Sequence, residues 1–210
     1  MKSVVTKSRR WLSSILPYQP MDGRKETLEA EYRGGTWDYL RQKHELSRFS
    51  VVVGYCHHFK PGAAILEVGC GEGILQERLD RSRYSRYVGI DISAEAIRRA
   101  CGKQDAKTSF IAADATVFEP HEEFDLIVFN ECLEYFPDPL ALVHRYERFL
   151  RTAGLYVVSI FNGIETARSK RIWKMLQSVY AVECETQVSN GLGYTWTIKV
   201  LKPEANESHE

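Results

Sequence analysis

Apolar residues along this chain recur with two alternating periods, and the alternation predicts the layout of the elements. From Thr36 the spacing is helical: Trp37 and Leu40 share a face. Phe49, Val52, Val53, Cys56 and Phe59 then repeat every three or four residues until Pro61-Gly62 stops the helix. AAILEV (63–68) reads as a buried strand and ILQERL (74–79) as a helix. YVGI is a second strand ending at Asp91. Ser93 caps a helix through AEAIRRA, with Glu95 placed well against the helix dipole. SFIAA forms a third strand ending before Asp114, and FDLIVFN a fourth, apolar enough to be covered on both faces. Asp138-Pro139 is a cap followed by a proline in the first helical turn, and ALVHRYERFL carries that helix's apolar face. LYVVSIF is a fifth strand and SKRIWKMLQSVY a basic amphipathic helix. AVECETQV and YTWTIKV, joined around Gly191 and Gly193, read as an antiparallel pair.

Strands that alternate with helices predict an α/β fold with a doubly wound sheet. One domain over residues 36–202 is the economical organisation. Residues 1–35 form a basic N-terminal extension that ends at Gly34-Gly35, and 203–210 a polar tail. The opening stretch MKSVVTKSRRWLSSILPY carries Lys2, Lys7, Arg9 and Arg10 with no acid before Asp22, and Trp11, Leu12, Ile15 and Leu16 can share a helical face. A frayed basic tail, a transit peptide and a membrane-surface helix all fit that pattern.

Composition narrows the function classes. The 210 residues include 44% hydrophobic and 27% charged, enough for a core and a solvated surface. Lysine plus arginine equal aspartate plus glutamate at 28 each, so no overall field draws nucleic acid. The five cysteines (Cys56, Cys70, Cys101, Cys132, Cys184) form no CxxC pair. That argues against a disulfide framework or zinc site and suits a reducing, cytoplasmic setting. No apolar run reaches the ~20 residues of a membrane helix.

The candidate chemistry centres on ILEVGCGEG (65–73). In doubly wound sheets ligands bind beyond the carboxyl ends of the strands, and Gly69, Gly71 and Gly73 follow the first strand there. Missing side chains let backbone approach a ligand closely. A dinucleotide turn needs glycine or alanine at its sixth position, where this chain has Ile74, and Glu67 just before the turn would repel a pyrophosphate. Asp91 ends the second strand, where a carboxylate can accept two ribose hydroxyls. Asp114 follows the third, and Asn130-Glu131 end the fourth. Each acid alone has a plain alternative, capping for Asp91 or Asp114 and an arginine partner for Glu67. Four successive strand ends delivering acids to one edge favour a ligand that is cationic and free of phosphate.

The series ILEVGCGEG, YVGIDIS, FIAADAT and FDLIVFNECLEYFPDP resembles that of class I S-adenosylmethionine-dependent methyltransferases, most closely the small-molecule branch with the ubiquinone-biosynthesis methyltransferases. The resemblance covers roughly residues 60–162 and stays compatible in element order to residue 200. It implies a Rossmann-like seven-stranded sheet with the last strand antiparallel, and S-adenosyl-L-methionine as cofactor. By the same resemblance Gly69, Gly71 and Gly73 pass beneath the methionine portion, with Glu67 near its amino group through water or backbone. Asp91 holds the ribose and Ile92 packs on adenine. Asp114 and the backbone of Ala115 read the adenine edge, and Asn130 lines the methionine side. Two rival classes stay open: a non-catalytic protein that binds this cofactor, and a nicotinamide-dependent oxidoreductase.

Methyl transfer needs alignment above all, and a base only when the acceptor must lose a proton. Relatives often have histidine after the acid in a pattern like LEH; here Leu133-Glu134-Tyr135 removes that imidazole. Tyr135 and Glu131 are the candidate catalytic residues. His57-His58 cannot share a helix face, so no metal is expected. Tyr32, Trp37 and Tyr39 around Gly34-Gly35 suggest a lid. Arg168, Lys170, Arg171 and Lys174 around Trp173 suit an acidic or lipid-linked acceptor or a membrane surface, or simply a solvated helix face.

Overall fold

The computed structural model describes residues 18–163 and 166–204, so the basic stretch up to residue 17 and the end of the polar tail lie outside the described residues. Seven strands make one sheet: β1 (Ala63–Val68), β2 (Tyr84–Asp91), β3 (Thr108–Ala112), β4 (Phe124–Asn130), β5 (Leu150–Phe161), β6 (Tyr180–Ser189) and β7 (Thr195–Pro203). Their order is β3-β2-β1-β4-β5-β7-β6. The first five pair in parallel, and β7 runs antiparallel to both β5 and β6. The doubly wound sheet with an antiparallel last strand is therefore as expected.

Helices α1 (Lys25–Arg33), α2 (Leu46–Phe59), α3 (Ile74–Arg78), α4 (Ala94–Ala100), α5 (Pro139–Glu147) and α6 (Thr166–Leu176) surround the sheet. Alternate residues of β1 feed two cores, because successive side chains of a strand point to opposite faces. Ala64, Leu66 and Val68 join Phe129 and Tyr156 beneath Val143, Tyr146 and Ile172 of α5 and α6. Ala63 and Ile65 join Tyr87 and Val128 beneath Phe49, Val52, Ile74 and Ile97 of α2, α3 and α4. All six β1 residues are buried, which explains an apolar run broken only by Glu67.

The expected caps form: Ser93 Oγ accepts from the Ala96 amide at 3.1 Å and Asp138 Oδ1 from the Ala141 amide at 2.9 Å. The helix expected from Thr36 is different. Residues Asp38–Arg41 and Lys43–Glu45 are two short 3-10 turns, separated by Gln42 in extended backbone, and the helix proper starts at Leu46. The helix after Asp138 stops at Glu147, and Leu150 already belongs to a twelve-residue β5. The Phe149 carbonyl, just ahead of β5, accepts from the Phe124 amide at 2.8 Å, so pairing with β4 ends the helix before its apolar spacing does.

Candidate active site

Because β1 lies between β2 and β4, chain order reverses beside it and opens a crevice at the strands' carboxyl ends. The glycine turn sits there. Gly69, Gly71 and Gly73 all take left-handed backbone, with φ of 72°, 54° and 73°. The amides of Gly69 and Cys70 donate to the Ile90 carbonyl at 2.8 and 2.9 Å, tying the turn to β2. A Cβ at Gly69 would lie 2.6 Å from Cys132 Cβ, at Gly71 2.7 Å from the Tyr32 hydroxyl, and at Gly73 2.7 Å from the Phe110 ring. The glycines are thus demanded by the turn's own packing, a constraint the reading of them as ligand-approach residues did not include.

Asp91 is 8% exposed and shared between two amides. Gly71 N donates to its Oδ2 and Ser93 N to its Oδ1, each at 2.9 Å. Burial raises its carboxyl above the usual range while those two amides pull it back. Ile92 beside it is half-buried. Asp114 is exposed, and its Oδ1 accepts from the amide and hydroxyl of Thr116 at 2.8 and 2.7 Å. Capping-type bonds to nearby amides therefore do form at both aspartates. Ala115 is buried, and its carbonyl accepts from the Tyr146 hydroxyl at 3.0 Å.

Glu67 is only 2% exposed and takes a hydrogen bond from the Tyr87 hydroxyl. Burial pushes its carboxyl up to about 8, against the opposing pull of Tyr87, Asn130 and Arg48. Arg48 is the hub of this region: it donates to Asn130 Oδ1 at 2.5 Å and to Glu45 Oε2 at 3.0 Å while itself 2% exposed. Sequence reasoning passed over it. The signal was present, since Arg48 falls on the same helical face as Val52 and Cys56.

Past β4, Glu131 has a φ of 61°, rare for a side chain of its size. Its amide donates to the Ser159 carbonyl at 3.0 Å, and its carboxylate accepts from the Ser159 hydroxyl. One turn on, Glu134 is 7% exposed and its Oε2 is buried with no hydrogen-bond partner. Burial and the Glu131 charge push Glu134 up to about 8. Tyr135 is half-buried, its hydroxyl raised first by burial and then by Glu134. Glu134 too was not singled out, although Glu131 and Glu134 have the three-residue spacing that brings side chains together.

Of the residues expected as a lid, Tyr32 sets its hydroxyl against Gly71 of the turn. Glu29 of α1 accepts from the amides of Ala94 and Glu95 at 2.6 and 3.3 Å, capping α4. Arg99 donates to the Tyr32 carbonyl and pairs with Glu72 at 2.6 Å; Arg41 meets Glu72 at 3.2 Å. Trp37 stands 6.0 Å from Tyr32 and 6.2 Å from Tyr39, ring to ring. The chain before α1 is fastened as well, with the Glu134 carbonyl accepting from Tyr18 Oη at 3.1 Å and Met21 N at 2.7 Å. Among the described residues no group of acids, histidines and cysteines could hold a metal. His57 Nε2 accepts from the Asp80 amide at 3.3 Å, and the exposed His144 lies 3.1 Å from Glu147.

Comparison with known proteins bears on this arrangement. The ubiquinone biosynthesis O-methyltransferase of Paracidovorax citrulli is 28% identical over 137 residues, 60% of this chain and 56% of its own length. The enzyme of the same name from Klebsiella pneumoniae is 32% identical over 121 residues, 54% of this chain and 47% of its own. The chain spans about half the length of the curated relatives it matches. Among solved structures, N-methyltransferase NodS from Bradyrhizobium japonicum WM9 in complex with S-adenosyl-L-homocysteine superposes with a TM-score of 0.74. It covers 87% of this chain and 99% of its own at 22% identity, a likeness of fold. The sequence profile of the methyltransferase-domain family matches residues 40–184, and the chain belongs to that family.

Proposed function

We propose that this protein moves a methyl group from S-adenosylmethionine to an oxygen or nitrogen of a small-molecule acceptor. The observation that carries this reading is the set of groups at the switch point. Buried Asp91 and Glu67, with Asn130, Glu131 and Glu134 beyond, surround the crevice. Arg48, the buried cation among them, is bound to Glu45 and Asn130. Such a lining offers oxygen acceptors to hydroxyl and ammonium donors and disfavours a phosphate. It fits a nucleoside carrying an ammonium and a sulfonium.

Asp91 would hold the ribose hydroxyls with the lone pairs its two amides leave, and Ile92 would pack against adenine. Asp114 and the Ala115 backbone would read the adenine edge. Gly69, Gly71, Gly73 and Asn130 would line the methionine end. Glu67 would act there through Asn130 and backbone, since its own carboxylate is bonded to Tyr87. The cofactor supplies an electrophilic methyl on sulfur. The chain supplies alignment and exclusion of water through Tyr32, Trp37 and Tyr39. Glu131 and Tyr135 would take up a proton of the acceptor where its attack requires one.

The family match and the fold it shares with a neighbour bound to S-adenosyl-L-homocysteine support this reading. Five free thiols support placement in the reducing cytoplasm. Exposed Lys170 and Lys174 on α6 support contact with an acidic or lipid-linked part of the acceptor away from the reacting centre. No described helix is long and apolar enough to cross a membrane. Titration calorimetry with S-adenosylmethionine and with NADH tests the proposal. Heat from the first alone is expected, together with S-adenosylhomocysteine formed from one of a panel of phenols, amines, sugars and lipid head groups. Binding of NADH alone would overturn it, and cofactor binding without any turnover would leave a binding protein.

A further inference from the structure

Resting on that reading, we infer that Arg48 is a positioning residue for the cofactor: it turns the Asn130 amide so that only N–H donors face the methionine end, where they hold the carboxylate. The contacts start at the head of α2. Glu45 and Arg48 are three residues apart, and the guanidinium gives Nε and Nη2 to Glu45 Oε2 at 3.2 and 3.0 Å. Nη1 donates to Asn130 Oδ1 at 2.5 Å, across 82 residues of chain. Arginine has donors and no acceptor, so the oxygen of the Asn130 amide must point at Arg48 and its NH2 away from it.

Strand register gives the direction. β1 and β4 are neighbours with Val68 opposite Phe129, which sets Asn130 level with Gly69, the first glycine of the turn. Ile65 and Val128 share the core beneath α2, so Glu67 and Asn130, each two residues further on, face the same side. Of the two Asn130 amide hydrogens Glu67 can take one. The other is left at the crevice, where Asn130 is 9% exposed. An N–H donor serves a carboxylate and gives an ammonium nothing. The methionine end carries one of each, so the fixed amide takes the carboxylate and the strand-end acids are left to the ammonium.

Arg48 does not reach the cofactor itself. It is 2% exposed, with its guanidinium carbon 4.1 Å from the Phe49 ring centre and 6.0 Å from that of Trp196. Three of its five N–H groups are engaged, and buried Glu45 answers its charge. A buried ion pair adds little net stability, and apolar residues of similar volume often replace one without loss. Orientation is what this pair supplies. An Asn130 amide free to turn would present its oxygen as readily as its nitrogen, and the oxygen repels a carboxylate.

The test reads binding to the full chain by calorimetry, with S-adenosylmethionine and with decarboxylated S-adenosylmethionine, which differ by the carboxylate alone. The parent is expected to prefer the first by about tenfold, the worth of one charge-assisted hydrogen bond. Glu45→Gln combined with Arg48→Met removes both buried charges and leaves Asn130 free to turn. Asn130→Asp keeps an oxygen for Arg48 and replaces the NH2 by a second oxygen. In each the preference should vanish, through weaker binding of S-adenosylmethionine, with the decarboxylated ligand bound as before and the melting temperature held. Should the double variant fail to fold, Arg48→Lys puts a single point donor in place of the fork and should reduce the preference a few-fold. A parental preference retained in any variant that folds overturns the inference, including one retained because both ligands weaken equally, which would make the pair a support of the fold only. A parent that binds both ligands alike overturns it too. A parent that binds neither overturns instead the reading on which it rests.

Discussion

Asp91 holds the turn and, in our proposal, the ribose, and the two roles compete for the same oxygens. Removing the side chain strips the Gly71 and Ser93 amides of their acceptor. Asp91→Ala is therefore expected to lose about tenfold to a hundredfold in S-adenosylmethionine affinity and about 1–3 kcal/mol of stability. Calorimetry and urea unfolding read the two losses separately. Unchanged cofactor affinity in this variant would move the ribose elsewhere. Asp114→Ala should cost less on both counts, because that carboxylate is exposed and bonded only within its own turn.

Glu67 and Glu134, both pushed up to about 8 from an ordinary 4.5, make stability depend on pH. Below the ordinary value both folded and unfolded chains hold the protons. Between about 4.5 and 8 the unfolded chain releases them while the folded chain keeps them, so stability falls as pH rises. Each carboxyl contributes at most about 1.4 kcal/mol per pH unit across that window. Glu67→Gln should flatten the slope in urea unfolding between pH 5 and 8. A variant whose slope matches the parent's would show that Glu67 is ionised in the fold.

At the scale of elements, α1 is a clasp whose main fastening is electrostatic. Glu29 supplies a carboxylate to the N-terminus of α4, where backbone amides and the helix dipole favour it. Glu29→Gln is expected to cost about 1 kcal/mol of local stability. If α1 covers bound cofactor as proposed, S-adenosylmethionine should leave several-fold faster in stopped-flow, the sheet melting as before. An unchanged release rate would separate α1 from cofactor retention. The glycine turn is the opposite kind of element, rigid because it is crowded. Gly73→Ala sets a Cβ against Phe110 at a φ of 73°. It should destabilise by about 1–3 kcal/mol, visible as an earlier urea midpoint.

Across the whole molecule, cofactor binding and folding are linked. A ligand that binds the folded chain alone at a hundred times its Kd adds about 2.7 kcal/mol, which for a domain of this size raises Tm by about 5–10 °C. S-adenosylmethionine should produce that shift and NADH none. The doubly wound sheet was legible from strands that alternate with helices, since AAILEV, FDLIVFN and most of LYVVSIF are apolar enough to be covered on both faces, while the reversal at β1 is a matter of strand order. The two 3-10 turns before α2 were not, because their apolar residues keep helical spacing while Gln42 turns extended.

Local pattern and the order of motifs determined the fold class, the place of the crevice and the acids at its strand ends. Those follow from neighbours in sequence: alternation, caps and the residue that ends each strand. Tertiary structure alone decided that Arg48 reaches Asn130, that Tyr32 covers Gly71, and that the Ser159 hydroxyl meets Glu131. Such pairings join residues from distant stretches of chain. The cost of burying an acid depends on what packs around it, and no spacing along one strand carries that information.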